Sequence, residues 1–258
     1  MRFIDTHAHL YSNPINEHLS GVVKNAFDNG IDTILMPAID SSTLDAMLAV
    51  ESAYPQNCMA MIGLHPCSVK ENVEDELALV EHQLQKRKFI AVGEIGLDFY
   101  WDKTFTVQQH HAFTKQMEWA LAYSLPIVIH TRNAMGETIE AVKPFAKKGV
   151  RGIFHCFSGS KESAEQIIGM GFHLGLGGVL TYKNAGVAEA IATIPMEWLV
   201  LETDAPYLAP VPYRGKTNEP AFMIQVAMKL AEIKNIPLHE VAEITTQNAM
   251  GVFGLGNP

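Results

Sequence analysis

The chain has 258 residues, 48% of them hydrophobic, and a formal net charge of -9. That balance excludes a protein that coats long nucleic acid through a broad basic face, because such binding comes from phosphate neutralisation by Lys and Arg. No stretch approaches the roughly 18 consecutive apolar residues of a membrane span. Asp5 and His7 interrupt what would otherwise be the apolar run of a secretory leader, so a cytoplasmic protein is expected. Three cysteines, Cys58, Cys67 and Cys156, form no paired motif and read as small hydrophobes in a reducing compartment.

In chain order, short β-rich apolar runs fall near 2–7, 32–37, 59–64, 89–94, 126–130, 151–156, 172–177 and 198–203. Helix-forming segments lie between them, such as 71–87 and 107–124, with apolar residues three and four apart. Two further helices are expected over 219–234 and 238–250. Alternating strands and helices imply a parallel sheet, and eight such units make a closed (β/α)8 TIM-type barrel the simplest single-domain architecture for residues 1–258. A doubly wound open sheet is the alternative, weakened by the lack of a glycine-rich dinucleotide fingerprint after the first strand. The stretch "APYLAPVPYRGKTNEP" reads as one long loop after strand eight, a length often tied to function.

Ionisable residues close the apolar runs. Strand one leads into His7 and His9, strand four ends at Glu94, strand five at His130, strand six at His155 and strand eight at Asp204. By the two-residue period of a strand, Asp5, His7 and His9 share a face with Phe3, which a barrel would turn inward. C-terminal strand ends converge at the face where barrel active sites form. Four imidazoles and two carboxylates suit zinc, manganese or magnesium, and six ligands exceed what one open catalytic ion uses. Two divalent ions are therefore expected, one on His7, His9 and Asp204, the other on His130 and His155, with Glu94 between them.

The segments "DTHAHL", "GLHP", "VGEIGLDFY", "HTRNA", "HCFSG", "ETDAPYLAP" and "RGKTNEP" together resemble the TatD-family metal-dependent deoxyribonucleases, within the wider amidohydrolase-like barrels. The resemblance runs in family order over nearly the whole chain. It implies a TIM-type barrel with a binuclear centre that hydrolyses phosphodiester bonds in DNA, with His7, His9, Glu94, His130, His155 and Asp204 as metal ligands.

On that reading a metal-activated water attacks phosphorus, Asp204 orients it and takes its proton, and Glu94 holds the metals. His65, Arg132 and Arg214 are candidate phosphate contacts, weighed against a turn residue, a salt-bridged arginine and an exposed loop arginine. Asp5 and Glu202 are expected to orient ligands. Asp98 reads either as the tie of the loop after strand four or as a catalytic group, and Tyr100, Trp101 and Phe105 as either base-stacking aromatics or that loop's own core. His173 reads as a packed core histidine; His18, His82, His110, His111 and His239 read as solvated helix faces. The substrate expected is a DNA end or a short single strand, cut from 3′ to 5′; nothing in the sequence calls for a protein partner. The alternatives are a small-molecule amide, lactone or phosphoester hydrolase on the same centre, and a metal-binding scaffold without catalysis.

Overall fold

The computed structural model describes residues 1–256. Among these, eight strands run β1 Phe3–Asp5, β2 Ile31–Met36, β3 Cys58–Ala60, β4 Val92–Asp98, β5 Ile127–Arg132, β6 Gly152–Phe154, β7 His173–Leu176 and β8 Leu199–Leu201. The helices are α1 Leu19–Asp28, α2 Ser41–Ala53, α3 Val73–Lys86, α4 Thr106–Ala122, α5 Met135–Ala146, α6 Lys161–Gly169, α7 Val187–Ile191, α8 Met223–Lys234 and α9 Leu238–Phe253. None is long and apolar enough to cross a membrane.

All strand pairs are parallel, in the two runs β1-β2-β3 and β4-β5-β6-β7-β8. Isolated bridges close the ring: Ile62 with Val92 on one seam and Ala8 with Ala205 on the other. The expected TIM-type α/β barrel is therefore the fold, and the open-sheet alternative is not. The helices form because each offers one apolar stripe to the sheet: α3 buries Val73, Leu77, Val80 and Leu84, spaced three and four apart. Helix α2 starts where Asp40 and Thr43 cap each other's backbone N–H groups.

The core has two layers. Phe3, Ile34, Ala60, Ile95, Ile129, Phe154, Leu174 and Leu199 face the helices. Ile4, Leu35, Met61, Ala91, Val128, Ile153 and Val200 fill the barrel, whose lower end is plugged by Ala249, Val252 and Phe253 of α9. Strand parity then carries inward from Met61 to His65, from Val128 to His130, from Ile153 to His155, and from Val200 to Glu202 and Asp204.

Two strands break that parity. In β1 it is Ile4, not Phe3, that lines the barrel. A register shift between Phe3 and Ile4 and a bend at Thr6 turn the chain, so the shared face expected for Phe3, His7 and His9 is corrected. In β4, Glu94 does not end the strand, which continues to Asp98. Gly93 pairs with Val128 and Ile95 with Ile129, so Glu94 is the extra residue of a β-bulge. Bulges re-aim side chains beside active sites, and this one sends Glu94 into the barrel mouth.

Candidate metal centre

Glu94 is the hub. Its Oε2 lies 3.1 Å from His7 Nε2 and 3.7 Å from His9 Nε2. Its Oε1 lies 2.7 Å from His155 Nε2, 2.9 Å from His130 Nδ1 and 3.3 Å from His65 Nε2. Asp204 Oδ1 completes one side, 3.6 Å from His7 Nε2 and 3.5 Å from His9 Nε2. The six expected ligands therefore meet at one point, and His65 joins them. Backbone pairing fixes part of this geometry, since Asp204 N donates to His7 O at 2.8 Å and His9 N to Ala205 O at 2.7 Å. Asp204 itself sits in the left-handed region at φ 56 and Cys156, next to His155, at φ 46. Such strain outside glycine concentrates where a site over-determines the chain.

The outer nitrogens of the rings reveal what the inner ones are for. Tyr11 donates its hydroxyl proton to Pro37 O, so at the 2.9 Å contact with His9 Nδ1 it can only accept. His9 is thereby protonated at Nδ1 and presents the Nε2 lone pair inward. Asp98 Oδ2 sits 2.9 Å from His130 Nε2, which assigns the outer proton there too, while Glu202 Oε1 lies near His155 Nδ1, at 3.5 Å, without a hydrogen bond to it. In neutral rings, lone pairs then face carboxylate oxygens, and two Nε2 atoms, of His7 and His9, lie only 3.3 Å apart. Protons can relieve only part of this crowding, whereas divalent cations between the groups relieve all of it; outer acceptors of this kind are the usual partners of metal-bound imidazoles. His7 Nδ1, His155 Nδ1 and Glu202 Oε2 are buried without a hydrogen-bond partner, a cost tolerated at sites with another function. The donor set fits divalent metal.

His65 differs. Its Nδ1 accepts the N–H of Cys67 at 3.0 Å, so its Nε2 carries the proton and points at Glu94. It is a donor in this cluster, suited to an anion rather than a cation.

Electrostatics follow from this packing. Burial alone would raise the Glu94 carboxyl, but His155, His65, His7 and His130 hold it well below the usual range. Burial would lower His155, but Glu94 and Glu202 hold it well above its ordinary value. His130 and His65 are also raised, against burial, by Asp98 with Glu94 and by Glu94 respectively. His7 goes the other way: burial and the neighbouring His155 pull it down. Asp204 is held down, against burial, by His9, His155 and His7.

The supporting residues have the following places. Asp5 accepts His7 N, Thr203 N and the Thr203 hydroxyl, so it ties β1 to the end of β8 by backbone rather than orienting an imidazole; burial pushes its carboxyl up to about 8. Glu202 lies beside His155 Nδ1 at 3.5 Å, close enough to interact by charge, and accepts Cys156 N. Asp98 ties down its loop, accepting the N–H of Tyr100 at 2.9 Å and of Trp101 at 3.1 Å. Its bond to His130 went unseen in the sequence. Arg132 and Arg214 are exposed, their guanidinium carbons 3.9 Å from the Tyr100 ring and 4.0 Å from the Tyr182 ring, so both belong to the rim and not to the cluster around Glu94. The expected aromatic trio splits: Tyr100 and Trp101 stand out in solvent, while Phe105 packs on the core under Lys70. His173 lies against Trp198, half-buried, and His18, His82, His111 and His239 are exposed; His110 is half-buried against Phe99. Tyr11 carried no sequence signal beyond its two-residue distance from His9.

A parallel barrel with imidazoles and carboxylates converging at the C-terminal ends of its strands defines a metal-dependent hydrolase. Residues 4–254 match the model of the TatD related DNase family, and the chain belongs to that family. It is 37% identical to the uncharacterized metal-dependent hydrolase YabD of Bacillus subtilis, over 96% of this chain and 98% of the relative. The crystal structure of the TatD homolog YjjV from Escherichia coli superposes with a TM-score of 0.93 at 30% identity, covering 99% of both chains. A TatD-family hydrolase from Entamoeba histolytica shares the fold, with a TM-score of 0.83 at 24% identity and 98% of both chains covered.

Proposed function

We propose that this hydrolase cleaves phosphodiester bonds in DNA with two divalent ions, zinc, manganese or magnesium, and that it works from ends in the 3′ to 5′ direction. The observation that carries the reading is the donor set around Glu94, whose two oxygens face two separate groups of imidazoles. His7, His9 and Asp204 would hold one ion, His130 and His155 the other, with Glu94 shared. When bound, the ions supply Lewis acidity at the phosphoryl group and lower the pKa of water.

The protein's own groups do the rest. Asp204 is the carboxylate that water reaches, 13% exposed against 3% for Glu94; it takes the proton as the water oxygen bonds to phosphorus and returns it to the ester oxygen that leaves as a hydroxyl when the P–O bond breaks. Glu94, enclosed by imidazoles, holds position. The His65 N–H meets a non-bridging phosphate oxygen, and Arg132 and Arg214 steer the flanking backbone from the rim.

End-labelled single-stranded and duplex oligonucleotides, nucleoside phosphates and a lactone, each incubated with enzyme reconstituted in zinc, manganese or magnesium, test this reading. The expected result is stepwise shortening from the 3′ end, abolished by chelation and reduced about 10²–10⁴-fold in Asp204→Asn. Turnover of the lactone with no DNA cleavage would overturn it. DNA cleavage that survives both chelation and the substitution would mark a contaminant.

A further inference from the structure

Helix α4 buries two glutamines, Gln109 at 3% exposure and Gln116 at 0%. Glutamine mostly stays at the surface, and no other glutamine among the described residues is so enclosed. The two stand seven residues apart, two turns of helix, and so share the face that α4 turns to the sheet. Each commits both ends of its amide to the backbone of a single residue. Gln116 accepts Leu64 N at 2.7 Å and donates to Leu64 O at 3.3 Å. Gln109 accepts Asp98 N at 2.9 Å and donates to Asp98 O at 3.1 Å. Reversing either amide would set donor against donor and acceptor against acceptor, so both orientations are fixed.

The clamps lie where the barrel wall lacks a ladder. The seam between the two runs of strands ends at the Ile62–Val92 bridge and the bond from Gly93 N to Ile62 O. Further toward the mouth, among the described residues, no backbone bond joins 63–65 to 94–98. Backbone groups buried there must still find partners, and α4 supplies side chains in place of a neighbouring strand. Both held residues adjoin the cluster around Glu94. Leu64 precedes His65, whose Nε2 lies 3.3 Å from Glu94. Asp98 carries the oxygen that sets the outer proton of His130, 2.9 Å from its Nε2. A two-point clamp fixes the tilt of a peptide as well as its place, so it governs where the adjoining side chain points.

We infer that α4 is an alignment bar for the barrel mouth: Gln116 is the positioning residue of His65, and so of the phosphate oxygen that His65 meets, and Gln109 is the positioning residue of Asp98, and so of the His130 ligand. One helix thereby serves anion recognition and metal retention through two separate contacts. The Gln116 half rests on the phosphodiesterase reading above, but its test reads binding separately from cleavage.

Gln109→Met and Gln116→Met keep side-chain length and helix propensity and remove the amide. The full-length protein is titrated calorimetrically with manganese and then, at saturating manganese, with inorganic phosphate. Gln116→Met is expected to weaken phosphate binding about 5-fold or more, with manganese affinity unchanged. Gln109→Met is expected to weaken manganese binding on the His130 side about 10-fold, with phosphate affinity unchanged once that side is filled. In a His65→Ala background, Gln116→Met should add nothing to the loss of phosphate affinity, because it acts through that ring. Equal loss of both affinities in both variants would mark general loosening and overturn the alignment bar, as would no loss in either or an additive loss in the double variant. Should a variant not fold, the unaltered protein decides the matter. Coupling is reciprocal, so phosphate must tighten the Leu64 clamp and manganese the Asp98 clamp. Amide exchange should therefore slow at Leu64 on adding phosphate and at Asp98 on adding manganese; indifference to both would overturn the bar. Failure of the unaltered protein to bind phosphate would remove the Gln116 half and leave the Gln109 half to the manganese readout. The expected split of affinities without DNA cleavage under any metal would support the bar while sinking the nuclease assignment. DNA cleavage at unchanged KM in both methionine variants, with both affinities intact, would do the reverse.

Discussion

Asp98 shows how much one carboxylate decides. One oxygen receives the backbone of Tyr100 and Trp101, the other the outer nitrogen of His130. Asp98→Asn keeps the first job, because the amide oxygen still accepts. It reverses the second: the amide nitrogen donates to His130 Nε2, which forces the ring proton onto Nδ1, the atom that faces Glu94. We expect zinc or manganese affinity at the His130 side to fall about 10–100-fold in isothermal titration, with the fold unchanged. Retention of both stoichiometry and affinity would show that the tautomer is set elsewhere. The titration of the cluster makes a second prediction at this scale. With cations chelated away, Glu94 stabilises the fold above about pH 4.5, and this is lost as pH falls through its depressed value. His155, His130 and His65, raised, stabilise it fully below about pH 6.5 and lose that effect as pH rises, with only His7 opposing them. Thermal melts in EDTA should give a higher Tm near pH ~5.5 than near pH ~8. The metal-loaded protein should reverse the order, since coordination needs neutral rings. A chelated Tm that climbs from the lower to the higher pH would contradict the assigned charges.

Among the elements, the long loop after β8 carries the least regular backbone and the most exacting task. It must return from Asp204, at φ 56, to α8 while keeping that carboxylate beside His7 and His9. Asn218, fully buried, staples it: the amide donates to Thr203 O and to Tyr207 O, both at 2.7 Å, and accepts Glu219 N at 3.0 Å. Asn218→Ala would strand two carbonyls either side of Asp204. A loss of about 2–4 kcal/mol in denaturant unfolding is expected, together with weaker metal binding; a loss under about 0.5 kcal/mol would show that water replaces the staple. The sequence placed Asn218 inside "RGKTNEP" but gave it no role, because its partners are backbone carbonyls whose positions depend on the path of the loop. The same limit hid the bulge at Glu94. Alternation predicts a side chain's direction only while the ladder stays regular, which holds for His130 and His155 and fails at the register shifts in β1 and β4. Gly175 is another case: an added Cβ would meet Glu202 Oε2 at 2.2 Å, a constraint visible only once β7 and β8 are side by side.

At the scale of the molecule, the barrel was legible because parallel strands buried on both faces leave continuous apolar runs such as "FIAV" and "PIVI". Its closure was not, since seam bonds pair residues such as Ala8 and Ala205, nearly the whole chain apart. The ring is held there by few bonds: Thr6 N to Leu201 O, Asp204 N to His7 O and His9 N to Ala205 O on one seam, and Ile62 N to Ala91 O, Gly93 N to Ile62 O and Ile90 N to Ala60 O on the other. The ligands straddle these seams, with His7 and His9 following β1 of the three-stranded run and Glu94, His130, His155 and Asp204 carried on or just beyond strands of the five-stranded run. Metal held between them would cross-link the two runs, and because the unfolded chain scatters the ligands over some two hundred residues, almost all of its binding energy would stabilise the closed form. At a hundredfold excess over Kd that is about 2.7 kcal/mol per site. Hydrogen exchange should locate the gain: on chelation, protection should fall first at Thr6, His9 and Asp204, whose amides bridge the seam, and change least at the β5–β6 pairing, where Ile127 to Ile129 meet Gly152 to Phe154. Uniform loss across all strands would instead mean that the metals stabilise the barrel as one cooperative unit and do not act as a clasp at its seam.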